Sequence, residues 1–200
     1  MSTRSLFRIF ALLFFAIFNA LLLAAPAPAQ DRAKGEGGEK AVMVGGAPML
    51  PSRNIVENVV SSKDHTTLVV AVKTAGLVDT LAGKGPLTLF APTNAAFGKL
   101  PSGALDNLLK PENKAALTGI LTYHVVAGNY AAADLAAMAE KAGGKAELTT
   151  VAGGTLTVTQ MDGKWVVVDA AGNAAGIETA DVAQANGVVH VIDAVLMPAK

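Results

Sequence analysis

The sequence predicts an α+β fold, because helical patterns occupy its first half after the N-terminal leader and strand patterns occupy most of its second half. Apolar residues recur at helical spacing between residues 64 and 121, whereas alternating or β-branched runs stand between residues 155 and 192. Glycine-containing turn dipeptides flank the later runs, as is typical of hairpins. The sequence shows no internal repeat, so we expect a single domain over residues 41–199.

The first predicted helix begins at Asp64, whose carboxylate is expected to cap the free backbone N–H groups of the first turn. Leu68, Val72 and Ala75 follow at helical spacing. Gly76 is then suited to end the helix, because glycine adopts the left-handed conformation that closes many helices.

Five further helical segments are predicted, one of them a helix that carries Ala96 and Phe97 and that Thr93 or Asn94 can cap. A short turn of helix is expected at residues 77–81. Ser102 is the predicted N-cap of a helix over residues 105–109, and Pro111 suits the first turn of the helix that follows it. A last helix is predicted at residues 131–142, where apolar residues again recur at helical spacing.

Four strands are predicted from apolar runs and from alternation, besides an apolar strand that contains His124. Residues 87–91 form a short early strand, and residues 155–159 alternate strictly between polar and apolar side chains. Residues 165–168 are expected to pair with that second run as a hairpin. Residues 188–192 are rich in β-branched side chains, which favours a strand that is buried on both faces.

The N-terminus has the pattern of a secretory signal peptide over residues 1–29. Arg4 and Arg8 precede an apolar run at residues 9–25, and small residues at 27–29 suit cleavage after Ala29 or a few residues earlier. The alternative is an uncleaved anchor helix, but the run is shorter than the ~20 residues that a membrane span needs. We therefore expect a secreted protein, extracellular or periplasmic, whose mature form does not span the membrane.

Charge and cysteine content exclude several classes of site. The chain has 16 Lys and Arg and 16 Asp and Glu, with no basic block, which argues against a nucleic-acid partner. It has no cysteine, which excludes disulfides, thiolate metal sites and a cysteine nucleophile. Residues 30–40 are polar and rich in Gly, Lys and Glu, which predicts a flexible linker before the domain.

Three stretches in order resemble the fasciclin (FAS1) domain family. They are residues 87–97, the sequence Tyr123-His124-Val125-Val126, and residues 186–198. The likeness spans residues 41–199 and is closest to the bacterial secreted single-domain type. It implies a FAS1-type β-wedge of two sheets with helices packed on one side. It also implies a role in adhesion or extracellular-matrix binding, with no catalysis and no cofactor.

The resemblance also implies residues for partner binding. Cell binding by animal fasciclin domains is attributed to the Tyr-His region, which Tyr123 and His124 match, and to an Asp-Ile pair before the last block. Asp181 and Val182 resemble that pair, with Val where Ile is usual. The alternative is that Tyr123 and His124 are core residues and that Asp181 is a turn or a cap. Because residues 178–180 are too polar for a core strand, we expect the Asp181 side chain to reach solvent.

Two of the three histidines are expected to be structural. His124 and His190 lie inside apolar stretches predicted as strands, where an imidazole needs hydrogen-bond partners on both nitrogens. They are 66 residues apart without an acidic cluster nearby, so we expect no metal site. His65, beside the predicted Asp64 cap, is expected to be exposed. The chain has neither a Gly-x-Ser-x-Gly elbow nor a Gly-x-Gly-x-x-Gly loop after a strand, so no enzyme is expected.

Three functions remain open. The leading one is a secreted or cell-surface protein for adhesion or for binding extracellular matrix or polymer, with a cell-surface protein or polysaccharide as partner. A small-molecule or lipid carrier would need a sizeable apolar pocket. A structural, self-associating envelope protein would present a large apolar surface patch. The low aromatic content counts mildly against stacking on sugars and against large hydrophobic ligands.

Overall fold

The structure, a computed structural model, describes residues 40–198. The predicted signal peptide at residues 1–29 and all of the predicted linker except Lys40 lie outside the described residues and stay predictions.

Seven α-helices and nine strands are found in the described part of the chain. The helices are α1 (Ile55–Ser61), α2 (Thr66–Ala75), α3 (Val78–Ala82), α4 (Asn94–Gly98), α5 (Ala104–Leu108), α6 (Lys114–Tyr123) and α7 (Ala132–Lys141). The strands are β1 (Val42–Val44), β2 (Ala47–Met49), β3 (Leu87–Pro92), β4 (Val125–Ala127), β5 (Lys145–Thr149), β6 (Thr155–Met161), β7 (Lys164–Val168), β8 (Ala174–Gln184) and β9 (Gly187–Ile192).

Strand β8 joins two halves of a seven-stranded sheet whose order is β4-β3-β9-β8-β7-β6-β5. Its first part, Ala174–Gly176, pairs with β7, and its second part, from Ile177 to Gln184, pairs with β9. The register shifts twice between Ile177 and Val182, and such bulges bend a strand. Neighbouring strands are antiparallel except β3 and β9, which are parallel. The predicted α+β fold with its FAS1-type β-wedge is confirmed.

Two apolar clusters form the core. One lies between the helices α1 to α6 and the strands β3 and β9, with Leu68, Leu117 and Val189 among its fully buried members. The other lies beneath α7, where Leu135 packs with Val158 and other residues of the second half of the sheet. The helix α7 therefore covers a separate part of the molecule from the other six helices.

Two predicted helix caps are wrong. Asp64 lies in a short 3₁₀ turn, and α2 begins at Thr66 without a cap from its own N-terminal neighbour. The side chain of Asn94 replaces the expected cap, because its Oδ1 accepts the Thr67 N–H at 2.9 Å. Ser102 does not cap α5; Gly103, with φ of +79°, precedes that helix and makes no side-chain bond.

Four segments of the described chain were not predicted. The hairpin β1–β2 and the strands β5 and β8 were not predicted as strands, and α1 was not predicted as a helix. Residues 178–180, which the sequence suggests are too polar for a core strand, lie within β8. They can do so because this bulged part of the strand leaves Glu178 and Ala180 exposed instead of burying them.

Candidate functional site

Asp181 is the one predicted partner-binding residue that reaches solvent. It lies in the bulged part of β8 and has a φ of +58°, a left-handed conformation that Asp tolerates better than most residues. Its Oδ1 accepts the N–H of Ala132, the first residue of α7, at 2.6 Å. The carboxylate thus satisfies a free N–H group at the start of a helix that is distant in sequence.

Val182 points the opposite way. Successive side chains of a strand alternate between faces, so the residue after an exposed Asp181 is directed inward. Val182 is completely buried and belongs to the larger core cluster. Its side chain is therefore available for packing and is closed to a partner in the folded state.

Tyr123 ends α6 and is completely buried. Its hydroxyl donates to the carbonyl of Thr155 at 2.8 Å and accepts the N–H of Ala170 at 2.9 Å. Burial raises the pKa of the Tyr123 hydroxyl. The ring also lies against Gly154, where an added Cβ would stand 2.6 Å from the ring. Tyr123 therefore ties the end of α6 to the second half of the sheet.

His124 caps the C-terminus of α6 and does not lie in a strand, so that part of the sequence prediction is wrong. It is 1% exposed. Its Nδ1 donates to the carbonyl of Ile120 at 2.8 Å, and its Nε2 accepts the N–H of Leu196 at 3.0 Å. Because both contacts suit the neutral ring, and because burial opposes charge, the pKa of His124 falls to about 4.

His190 lies in β9 and holds the segment around Asp181. Its Nε2 bonds the carbonyl of Tyr130 at 2.8 Å, and its Nδ1 accepts the N–H of Asp181 at a long 3.4 Å. The ring stacks on Phe90 with 5.5 Å between centroids. Burial lowers the pKa of His190, while the nearby Asp181 carboxylate partly opposes the shift. The imidazole therefore acts here as a neutral structural group.

His65 is completely buried, which corrects the expectation that it is exposed. Its Nδ1 bonds the Ser62 hydroxyl at 2.9 Å, while its Nε2 has no hydrogen-bond partner. Burial lowers the pKa of His65. The expectation failed because α2 begins after His65, so the imidazole turns inward instead of lying on an exposed first turn.

Two kinds of feature are absent from the described residues. Residues 40–198 contain no group of three or more His, Asp and Glu side chains placed to hold a metal ion. Within the same residues, no helix has both the length and the apolar character for crossing a bilayer.

Two cavities that sequence reasoning missed lie beside α7, with volumes of about 220 and 510 Å³, and Trp165 of β7 lines both. We call the pair the α7 groove. The smaller cavity is bordered by the N-terminal half of α7, including Ala132, and the larger one by the C-terminal half, including Glu140. Asp181 follows Ala180, which lines the smaller cavity. The one sequence feature that could have indicated this groove is the single Trp at the start of a predicted strand.

Comparison with known proteins identifies the family. The fasciclin domain model matches residues 63–198. Protein sll1483 of Synechocystis is 43% identical over 171 residues, which cover 86% of this chain and 88% of that protein. The cell surface glycolipoprotein MPB83 of Mycobacterium bovis is 43% identical over 122 residues, which cover 61% of this chain but only 48% of the glycolipoprotein.

A solved structure supports the same fold. The FAS1 domain pair of the insect cell adhesion molecule fasciclin I superposes with a TM-score of 0.66 at 21% identity, over 74% of this chain and 52% of that one. This chain therefore covers about half of the two-domain structure. The family match, the close relative and the shared fold agree with one another, and the chain belongs to the fasciclin domain family.

Proposed function

We propose that this chain is an exported adhesion module that attaches to a cell-surface protein or polysaccharide, with no catalysis. The observation that carries the proposal is the position of Asp181. It is an exposed carboxylate on a bulged strand, fixed against the start of α7 in a conformation that few residues adopt readily. Tyr123, His124 and Val182 are buried, and their direct contact with a partner stays a prediction.

Relatives support the location that the N-terminal pattern predicts. MPB83 is a cell surface glycolipoprotein, and the insect protein of the same fold is a cell adhesion molecule. We expect the mature chain to begin near Gln30 and to be found outside the cytoplasm. Intact-mass measurement and N-terminal sequencing of the protein from its own cells would test this. A full-length species that retains Met1 in the membrane fraction would contradict export by cleavage.

The carrier alternative finds little support in the described residues. The apolar cavity among α1, α2 and α3 has a volume of only about 20 Å³, roughly that of one water molecule. A lipid tail needs far more space than this. Small-ligand sites usually enclose about 300–1,000 Å³ and are mainly apolar. The cavity of about 510 Å³ beside α7 has that size, but Glu140, Lys145 and Gln160 border it, which does not suit a lipid tail.

Attachment of the full mature protein to intact cells and to isolated surface polymers tests the proposal. Asp181→Asn removes the charge, keeps an oxygen that can accept from Ala132 and keeps a side chain that tolerates positive φ. Asp106→Asn, an equal change at an exposed site on α5, is the matched control. We expect Asp181→Asn to keep the wild-type melting temperature and to weaken attachment at least fivefold, while the control attaches normally.

Two results would contradict the proposal at different points. If folded Asp181→Asn attaches as well as the wild-type protein, the attachment site lies elsewhere on the surface. If the wild-type protein attaches neither to cells nor to any surface polymer, the adhesion function itself is wrong.

A further inference from the structure

We propose that the α7 groove binds a neutral, linear polysaccharide chain across Trp165. This inference rests on the adhesion function proposed above, and it names the class of ligand and the site. Three features support it: the tryptophan, the charges on the walls of the groove and the way in which α7 is held.

The side chain of Trp165 is only partly covered by the protein. It is the only tryptophan of the chain, and it lies half-buried at the edge of the smaller core cluster. Buried tryptophans usually donate their Nε1–H to a protein acceptor. In the described residues Trp165 has no such acceptor, and its Nε1 is not among the buried atoms that lack a partner. The indole N–H is therefore open to solvent or to a ligand.

A pyranose ring matches this kind of surface. Its C–H face is apolar and packs on an aromatic side chain, while the hydroxyl groups around its edge need hydrogen-bond donors and acceptors. The position of Trp165 between two cavities allows sugar residues on both sides of the stacked ring. A linear chain could therefore continue along α7 in both directions.

The charges along the groove favour a neutral ligand. Glu140 and Lys145 border the larger cavity, and Glu178 and Lys164 border the smaller one. Within the described residues, none of these four exposed side chains makes an ion pair or a side-chain hydrogen bond. Each cavity thus offers one cationic donor and one anionic acceptor for hydroxyl groups, and their charges cancel. A polyanion would gain no net attraction here.

The walls of the groove are fixed in place. The helix α7 is tied to the sheet at its start by the bond from Ala132 to Asp181. The turn that follows α7 is tied to β6 by the bond from the Thr159 hydroxyl to the carbonyl of Gly144, at 2.8 Å. Trp165 lies between these two ties. A groove held at both ends loses little entropy when a ligand binds, which favours binding.

The low aromatic content is therefore weaker evidence against stacking on sugars than the sequence suggests. Composition gives the number of aromatic side chains, but a single ring at the centre of a groove is enough for stacking. The structure places the only tryptophan at that centre.

Tryptophan fluorescence of the mature protein tests the inference, since emission can come only from Trp165. The probes are three neutral hexasaccharides, maltohexaose, cellohexaose and chitohexaose, with polygalacturonate as a charged comparison. We expect a saturable change with at least one hexasaccharide and none with polygalacturonate. The affinity should change by less than about twofold with salt, because no counterions are released by a neutral ligand. The absence of any saturable change with all three hexasaccharides would overturn the inference.

Calorimetry on variants then locates the site. Trp165→Ala should weaken binding at least tenfold, whereas Trp165→Phe, which keeps an aromatic ring, should retain part of the affinity. Lys164→Ala and Glu178→Gln, on the exposed rim, should weaken binding several-fold without unfolding the protein. Lys84→Ala, an exposed lysine outside the groove, is the matched control and should bind normally. Equal binding by the wild-type protein and by the folded rim and Trp165→Phe variants would overturn the assignment of the site.

The two proposals can fail separately. Attachment to cells without binding of any neutral hexasaccharide would reject the saccharide groove and leave the adhesion function in place. Binding of a hexasaccharide without attachment to cells or polymers would reject the adhesion function and support the groove as a site.

Discussion

Tyr123 and His124 explain at the level of single residues why the Tyr-His motif is needed by the fold. Both are buried, and both place polar atoms on backbone groups that would otherwise lack partners. His124 joins the end of α6 to Leu196, which is 72 residues away. A residue that resembles a binding motif can therefore act by positioning the chain, while Asp181 presents its side chain to solvent.

Replacement of His124 by Ala should destabilise the protein by about 2–4 kcal/mol. The change removes a buried ring and leaves the carbonyl of Ile120 and the N–H of Leu196 without partners. Urea denaturation would measure the loss, with Lys110→Ala, at an exposed position, as the control. A stability within 0.5 kcal/mol of the wild-type value, the scale of a neutral surface change, would contradict a structural role for His124.

Stability should fall as the pH falls from about 6.5 towards 4. Burial lowers the pKa of His65, His124 and His190 below the ordinary value of 6.5, so the unfolded chain takes up protons that the folded protein does not. Their contribution is complete above the unfolded pKa and is lost as the pH approaches the folded pKa. For His124 the loss is on the order of 3 kcal/mol.

Melting temperatures measured between pH 7 and pH 4 would check this dependence. His124→Asn, which can still donate to Ile120 but does not titrate, should flatten part of the slope if it folds. An unchanged slope in that folded variant would show that other groups cause the acid sensitivity.

At the level of elements, two asparagines in the recognised motifs connect separate helices. Asn94 caps α2, although it belongs to α4. Asn186 accepts the N–H of Ile55 at the start of α1 and donates to the carbonyls of Leu81 and Gly83 at the end of α3. Each of these asparagines therefore supplies hydrogen-bond partners for backbone groups at helix ends that have none within their own helix. These bonds are a physical reason for Asn94 in residues 87–97 and for Asn186 in residues 186–198.

Gly187→Ala should destabilise the protein by at least about 3 kcal/mol, a large effect for one methyl group. Gly187 begins β9 beside β3, and an added Cβ would stand 1.8 Å from the carbonyl oxygen of Leu87. Because that neighbour is backbone, the two strands would have to move apart. Gly119→Ala in α6 is the control, since its Cβ would meet nothing within 4 Å, and alanine favours a helix by ~1 kcal/mol. Equal denaturation midpoints for the two variants would contradict this account.

At the level of the whole molecule, β8 connects the two core clusters. One part of the strand pairs with β7 above the smaller cluster, and the other pairs with β9 beside the larger one. No cysteine is present to add a covalent link. Stability therefore depends on packing and on hydrogen bonds that cross between the two halves, such as those of Tyr123.

The two halves should consequently unfold in one transition. Trp165 fluorescence reports the half that contains β7, and far-ultraviolet circular dichroism is dominated by the helices, most of which lie on the other half. We expect the two signals to give the same urea midpoint for the mature protein. Midpoints that differ reproducibly would show that β8 does not couple the halves.

Much of the fold could be predicted because its signals are local. The helical spacing of Leu68, Val72 and Ala75 and the alternation of residues 155–159 each follow from a few neighbouring side chains, and both elements are found. The cap of α2 could not be predicted in this way, because its donor group and Asn94 are 27 residues apart. The burial of His65 was missed because the sequence predicted a helix that begins at Asp64, whereas α2 begins at Thr66, one residue after His65.

The sequence by itself determined the order of most elements, the domain family and the exposure of Asp181, since periodicity, motif order and local polarity are written in contiguous residues. Only the tertiary structure decided what those residues contact. It buried Tyr123 and His124, bonded the Asp181 carboxylate to the first residue of α7, and placed Trp165 between two cavities. The physical reason is that hydrogen-bond partners and cavity walls come from segments far apart in the chain, and only the bend of β8 and the packing of α7 bring them together.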